Sequence, residues 1–295
     1  MKYYIVTLLA LTLVSCGNQQ SDSKQEEHKE EPKLVEQDSS NKTENYFSEE
    51  SLEYDQEKTK AIKKEILIKA KDDKLNLQDI IVDKSFFKES DFYIIDYRYP
   101  NLNEANNKQY ATFNDYVQKK YLNIEATEND LLDDKEMLCD SINGAIQKDK
   151  RYIDYKVYQS KNDLLSVLIY KENYYAGMKN STYSFDCINY DLEKGEFIEF
   201  DDFFKPNSQS VVFNKINEII TAEIEKGNLY YNCWEISQGD FEVYQNNFVI
   251  KDDAILYYFD DCVICPSYTG TYYVSIPIKE LLPIIKAYNN EPVVS

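Results

Sequence analysis

The chain of 295 residues has a single histidine, His28, and it sits in a polar stretch near the N-terminus. That scarcity excludes Ser-His-Asp and Cys-His catalysis, because the rest of the chain offers no imidazole as a general base. It excludes histidine-rich zinc sites as well. Any chemistry must rest on carboxylates, tyrosine, lysine or cysteine. Basic residues are also in short supply: 33 Lys and Arg against 53 Asp and Glu give a net charge of −20. Nucleic acid is thereby excluded as a partner, since phosphate contacts need a basic surface. Adhesion to anionic lipid through a basic face is excluded on the same ground. No Asp-x-Asp-x-Asp-Gly loop is present for calcium, and neither a metal site nor a cofactor is expected. The apolar run Ile5 to Val14 is much shorter than the ~20 residues that span a bilayer.

The end of that run carries a specific pattern. Leu13-Val14-Ser15-Cys16, behind Met1-Lys2 and a short apolar core, resembles the lipobox of a bacterial lipoprotein signal. The resemblance implies cleavage after residue 15 and a diacylglyceryl group on Cys16. It also implies an extracytoplasmic protein held to a bacterial membrane by its N-terminal lipid, inner or outer being left open. From Gly17 to about Lys60 the chain is Gln, Ser, Glu, Lys and Asp with few large apolar side chains, and it reads as a disordered acidic tether over 16–60. Its reach would be roughly 35–40 Å.

Five cysteines remain: Cys139, Cys187, Cys233, Cys262 and Cys265. Outside the cytoplasm they are candidates for disulfides or structural thiols, and an odd number leaves at least one free or paired between chains. Cys262-Val263-Ile264-Cys265 has redox-motif spacing, but it comes after an apolar run and precedes Pro266. That context is a strand and its exit, whereas a thioredoxin-type pair opens a helix.

Periodicity organises the remainder. Residues 51–71 read as a weak helix or strand. Phe92 to Tyr97 reads as a strand ended by Tyr99-Pro100, and Tyr110, Phe113, Val117 and Tyr121 lie on one face of a helix. A second helix is expected over Glu128 to Lys148. The period then becomes two: Ile153, Tyr155 and Val157 alternate with Asp154 and Lys156, as in a half-buried strand. Leu164 to Tyr170 is apolar nearly throughout, as in a strand covered on both faces. Ser181 to Tyr190 and Glu196 to Phe200 are joined by Glu193-Lys194-Gly195 as a hairpin. A helix through Phe213, Ile216, Ile220 and Ile224 stops at Gly227. Phe248 to Ile250 pairs with Ala254 to Phe259, Tyr272 to Ile276 is a last strand, and Pro277 opens a short helix limited by Pro283. The fold class is α+β, with largely antiparallel twisted sheets, packed helices and two closely associated subdomains over 61–200 and 201–295.

Two segments resemble known families. Tyr99-Pro100-Asn101-Leu102, Leu164 to Val167, Phe185-Asp186, Asn189 to Leu192 with Gly195, and Asp202-Phe203-Phe204 resemble the domain of unknown function 4163, found beside the catalytic module of peptidoglycan deacetylases of the PdaC type. Phe259 to Pro266, Gly270 and Val274-Ser275-Ile276-Pro277 resemble the domain of unknown function 3298, the companion domain in the ectodomain of the lysozyme-binding anti-sigma factor RsiV. Where these families often carry Gly-Gly-Ala-His, this chain has Tyr175-Ala176-Gly177-Met178-Lys179. From these residues neither a deacetylase module nor a cytoplasmic sigma-binding segment is expected.

Acidic doublets recur at Asp72-Asp73, Asp133-Asp134, Asp201-Asp202, Asp252-Asp253 and Asp260-Asp261, and such doublets are ordinary at turns. The 27 tyrosines suit strands, and Trp234 reads as core or a loop anchor. No catalytic residue is assigned. Candidates for ligand contact are Tyr175, Lys179 and Tyr268. The expectation is a non-catalytic, ligand-binding envelope lipoprotein, its partner a lysozyme-like cationic protein or a cell-wall glycan. The alternative is a carboxylate-dependent cell-wall hydrolase or an accessory to a peptidoglycan deacetylase.

Overall fold

The change from helical to two-residue periodicity near residue 149 marks a change of element type. In the computed structural model, which describes residues 49–136, 147–160 and 163–286, β1 (Ile81–Glu89) and β2 (Tyr93–Leu102) form a hairpin. Helices α2 (Tyr110–Tyr121) and α3 (Ile124–Glu136) come next. The chain then enters β3 (Asp149–Ser160), β4 (Leu164–Tyr174), β5 (Thr182–Asp191) and β6 (Glu196–Phe197). These make one sheet in the order β1-β2-β3-β4-β5-β6. It is antiparallel except for β2 and β3, which run parallel because two helices separate them in the chain. The mixed helix-and-antiparallel-sheet class expected from the sequence is the class observed.

Alternation decides what each face of this sheet covers. Leu165, Val167 and Ile169 share a cluster with Phe113 and Val117 of α2. Leu168, Tyr170 and Phe185, on the opposite face, share one with Val249, Leu256 and Tyr258. These last belong to a second sheet, β7 (Phe248–Ile250), β8 (Ala254–Tyr258) and β9 (Tyr273–Pro277), in that order. Its far face packs Tyr257, Val274 and Ile276 against Val212, Ile216 and Ile220 of α5 (Gln209–Glu225). Short helices α4 (Phe200–Phe203), α6 (Gln238–Tyr244) and α7 (Ile278–Leu281) close this end. All described residues belong to one compact unit.

The two sheets are stitched by polar side chains. The Ser166 hydroxyl donates to Asn189 and accepts from Ile250 N–H, while the Asn189 amide donates to the Phe248 carbonyl at 2.9 Å. The edge of β7 is thus satisfied by side chains of the large sheet, as a buried backbone edge must be.

Several expectations are corrected. The tether does not run disordered to residue 60: α1 spans Glu49–Lys69. Lys60 lies buried on it, donating to the Ser181 carbonyl (3.0 Å), Ser267 Oγ (2.6 Å) and Asp261 Oδ2 (3.2 Å). Composition hid this because the docking is polar. Asp154 and Lys156 do not face solvent. Asp154 accepts from the Tyr152 and Tyr170 hydroxyls, and Lys156 Nζ donates to the Ile68 and Ala70 carbonyls at the end of α1. A cation there satisfies orphan carbonyls and suits the helix dipole. Pro100 does not end β2. Pairing with β3 stops at Tyr97, so Pro100 sits where one edge is open and no N–H is needed. The helix expected over Glu128 to Lys148 starts earlier, at Ile124, and residues 137–146 lie outside the described ones. The strand expected to reach Phe200 stops at Phe197, because Glu199 and Asp202 form a capping box that opens α4.

Candidate functional site

On the helix-covered face of the large sheet the strands turn polar toward one end. Arg151 precedes Ile153, Tyr155 and Val157, Lys171 and Asn173 come after Leu165, Val167 and Ile169, and Asp186 precedes Ile188 and Tyr190. The antiparallel register, with Arg151 opposite Asn173 and Lys171 opposite Ser184, gathers these side chains at a single end. They floor a cleft of about 520 Å³, walled by Lys120 and Tyr121 of α2, Thr127, Asp130 and Asp133 of α3, Tyr97 of β2, and Tyr175.

The floor is a chain of charges. Lys171 Nζ donates to Asp186 Oδ2 at 2.7 Å, and Lys120 Nζ donates to Asp186 Oδ1 at 3.5 Å. Burial would raise the Asp186 carboxyl, but the Lys171 and Lys120 ammoniums outweigh it and hold the group below its ordinary range. It is therefore an anion that positions two lysines, unsuited to donate a proton. The Arg151 guanidinium lies over the Tyr175 ring, 4.4 Å from its centroid, and its Nη1 donates to the Lys150 and Tyr174 carbonyls at 3.3 and 3.4 Å, which fixes the cation at the cleft floor. Burial pushes the Tyr97 hydroxyl up against the opposing pull of Thr127 and Arg151, and it pushes Tyr121 up as well. Both phenols stay neutral and able to donate. Three bases face three carboxylates here, so the cleft is locally balanced in a strongly acidic chain.

A second hollow of about 460 Å³ shares Lys120 and Asp186 and extends to Tyr244 and Asp260. Burial raises Asp260 although the Phe185 N–H donates to it at 2.8 Å. Cys187 lies in the same hollow with its thiol pushed well up by burial, which makes it inert as a nucleophile.

Of the expected contact residues, Tyr175 lines the first cleft, whereas Lys179 and Tyr268 lie elsewhere. They meet in a smaller hollow of about 230 Å³ beside Lys60. There Lys179 Nζ is 3.6 Å from Glu57, and the Tyr268 hydroxyl accepts from the Asn232 amide. Cys233 and Cys265 form a disulfide, while Cys187 and Cys262 are free. Cys16 and Cys139 lie outside the described residues. Trp234 is exposed and so not part of the core; it follows Cys233 of the disulfide in a loop, its backbone N–H donating to the Ile264 carbonyl. The doublets act largely as caps and ties: Asp202 caps α4, Asp73 accepts from Gln159 N–H, and Asp260 and Asp261 accept from Phe185 and Tyr183 N–H. Sequence reading missed Arg151, Lys171, Asp186 and Lys120. The usable signal was a polar residue continuing the inward-facing register of three apolar strands.

Residues 201–279 match the family model described as "Protein of unknown function (DUF3298)", in line with the resemblance read from that region. A stretch of 137 residues is 26% identical to the Peptidoglycan-N-acetylmuramic acid deacetylase PdaC of Bacillus subtilis (strain 168), covering 45% of this chain and 29% of that protein. The chain therefore matches less than a third of that relative's length. Among solved structures, a DUF3298 family protein from Pseudomonas aeruginosa PAO1 aligns with TM-score 0.50 at 14% identity, over 72% of this chain and 95% of that one. A DUF3298 family member from Bacteroides fragilis aligns with TM-score 0.45 at 15% identity, over 70% and 94%. The first likeness supports the fold alone. No helix among the described residues is long and apolar enough to cross a membrane.

Proposed function

We propose that this protein is a lipid-anchored envelope protein whose folded part binds a carboxylate-bearing cell-wall glycan without turning it over. In this reading residues 61–200 are a companion domain of the 4163 type. The observation that carries the reading is the balanced cleft floored by Arg151, Lys171 and Asp186. Glycan hydroxyls need fixed polar partners, and Asp130, Asp133 and Asn173 supply acceptors or amide groups at the cleft wall. Ligand carboxylates suit the positive charge of Arg151, and the exposed part of the Tyr175 ring offers an apolar surface for a sugar. The distant deacetylase relative, which acts on peptidoglycan by its name, points to the same ligand class. Co-sedimentation with purified peptidoglycan tests the proposal. The wild-type chain should pellet saturably, and the Arg151→Ala, Tyr175→Ala double variant should bind at least about fivefold more weakly, a loss of about 1 kcal/mol. Equal binding by the two proteins would sink it.

A second reading is favoured by the net charge of −20: capture of a lysozyme-like cationic protein, steered by long-range attraction. Calorimetry against hen-type lysozyme should then show affinity falling steeply with salt, as the screening length shrinks to about 10 Å at 0.1 M. Salt-insensitive or absent binding removes this reading.

A further inference from the structure

The two edges of the small sheet differ. β7 is closed by Ser166 and Asn189, but β9 has no strand on its outer side among the described residues. Its register fixes which groups are left over. Phe259 N–H donates to the Tyr272 carbonyl and Ile278 N–H to the Asp253 carbonyl, so even-numbered residues of this segment bond toward β8. In an antiparallel ladder the intervening residues then point outward. Tyr273 and Ser275 therefore present N–H and carbonyl groups to the open side, and among the described residues neither makes a backbone bond there. Pro277 has no N–H and stops the ladder at that end.

This edge does not face bulk solvent across a flat surface. It lies in a groove of about 600 Å³ between α1 and α5, the most apolar hollow among those described. Ile66 and Leu67 form one wall, Ile219 and Leu229 the other. Lys63, Lys71 and Lys251 border it. None of the three pairs with a carboxylate among the described residues, while Glu223, the acid in the groove, is already engaged by Lys226 and Asn228. A cluster of three uncompensated lysines is unusual on a chain of net charge −20.

We infer that the outer edge of β9 is a docking site for an extended acidic peptide segment of another protein, which adds to the small sheet as a fourth strand. The main-chain groups of Tyr273 and Ser275 supply the ladder, the apolar walls take alternate side chains, and the lysines select acidic neighbours. The occupant is a peptide because a free strand edge recognises main chain, which no lipid or sugar supplies. It is acidic because the unpaired charges at the rim, among the described residues, are cationic.

The test uses the full chain and a fluorescein-labelled peptide, Asp-Val-Thr-Val-Asp-Val-Glu, read by fluorescence anisotropy. Saturable binding is expected, weakening at least about tenfold when alternate peptide nitrogens are methylated. Ser275→Pro should cause a similar loss, since the N–H it removes makes no internal bond, and circular dichroism checks that the variant folds. The methylated peptide decides the matter if that variant does not fold. Lys63→Glu with Lys71→Glu should reverse the preference toward a peptide with Lys in place of Asp and Glu. No saturation by about 1 mM, or equal binding of the methylated peptide, overturns the inference, the latter showing simple apolar capture. A dimer of the chain abolished by Ser275→Pro, without peptide binding, also overturns it by making a second copy the occupant.

Discussion

Replacing Lys60 with methionine should release α1 from the body of the protein. The Lys60 ammonium is nearly inaccessible, its side chain 8% exposed against 10% for Asp261. It makes three hydrogen bonds at once and lies over the Tyr183 ring at 4.9 Å. Removing one member of a buried ion pair costs about 3–5 kcal/mol, because the partner charge is left desolvated. Here a ceiling applies. Ile62, Ile66 and Ile68 of α1 are exposed and Leu67 is only partly buried against the core, so apolar burial is the smaller part of the docking. Once α1 detaches, Asp261 regains water and no further stability is lost. The variant should therefore lose about 2–3 kcal/mol of α1 docking with a smaller shift in global unfolding. Hydrogen exchange over residues 55–69 reads the first quantity and urea denaturation the second. Gly270→Ala reaches the same state by another route. An added Cβ would stand 2.7 Å from Lys63 Cβ, and φ of +61° is strained for alanine by about 1–2 kcal/mol. Unchanged protection of α1 in both variants would refute the reasoning, since it would mean that neither the lysine nor the close approach holds the helix.

Three further outcomes are expected. Asp186 and Glu172 are held below their ordinary values of 3.8 and 4.5 because paired lysines outweigh the burial that would raise them. Their contribution is complete above those values and is lost as pH falls through the lower folded ones, while the raised Asp260 works in the opposite sense. Urea midpoints between about pH 3 and 6 should thus fall on the acid side, and less steeply in Asp186→Asn. Reducing the Cys233–Cys265 disulfide, which spans 32 residues, should lower unfolding free energy by about 3–4 kcal/mol. Under native conditions a maleimide should label exposed Cys262 before Cys187, as peptide mapping would show.

Strongly periodic elements were legible. The face Tyr110, Phe113, Val117 and Tyr121 is the buried face of α2, and Gly227 with φ of +74° comes just after α5 as its stop. β1 was missed because it is an edge strand whose side chains are mostly exposed, so no alternation marks it. α6 was missed because seven residues carry little period. Its one announcement is the capping box between Ser237 and Asp240. Asp154 and Lys156 alternate like solvent-facing residues, yet each meets a partner from another element, which no local pattern reveals. The cleft was illegible for a related reason: Lys120, Arg151, Lys171 and Asp186 converge only once strand register is known.

The polar stitching between the sheets bears on how this architecture can be inherited. The matched segment begins at residue 201, yet the backbone edge of its β7 is finished by Ser166 and Asn189, which precede it. A gene fusion that moved 201–279 alone would carry a sheet with two raw edges. Recombination should therefore preserve β4 and β5 alongside the matched segment, and the two halves should travel between genomes as a pair.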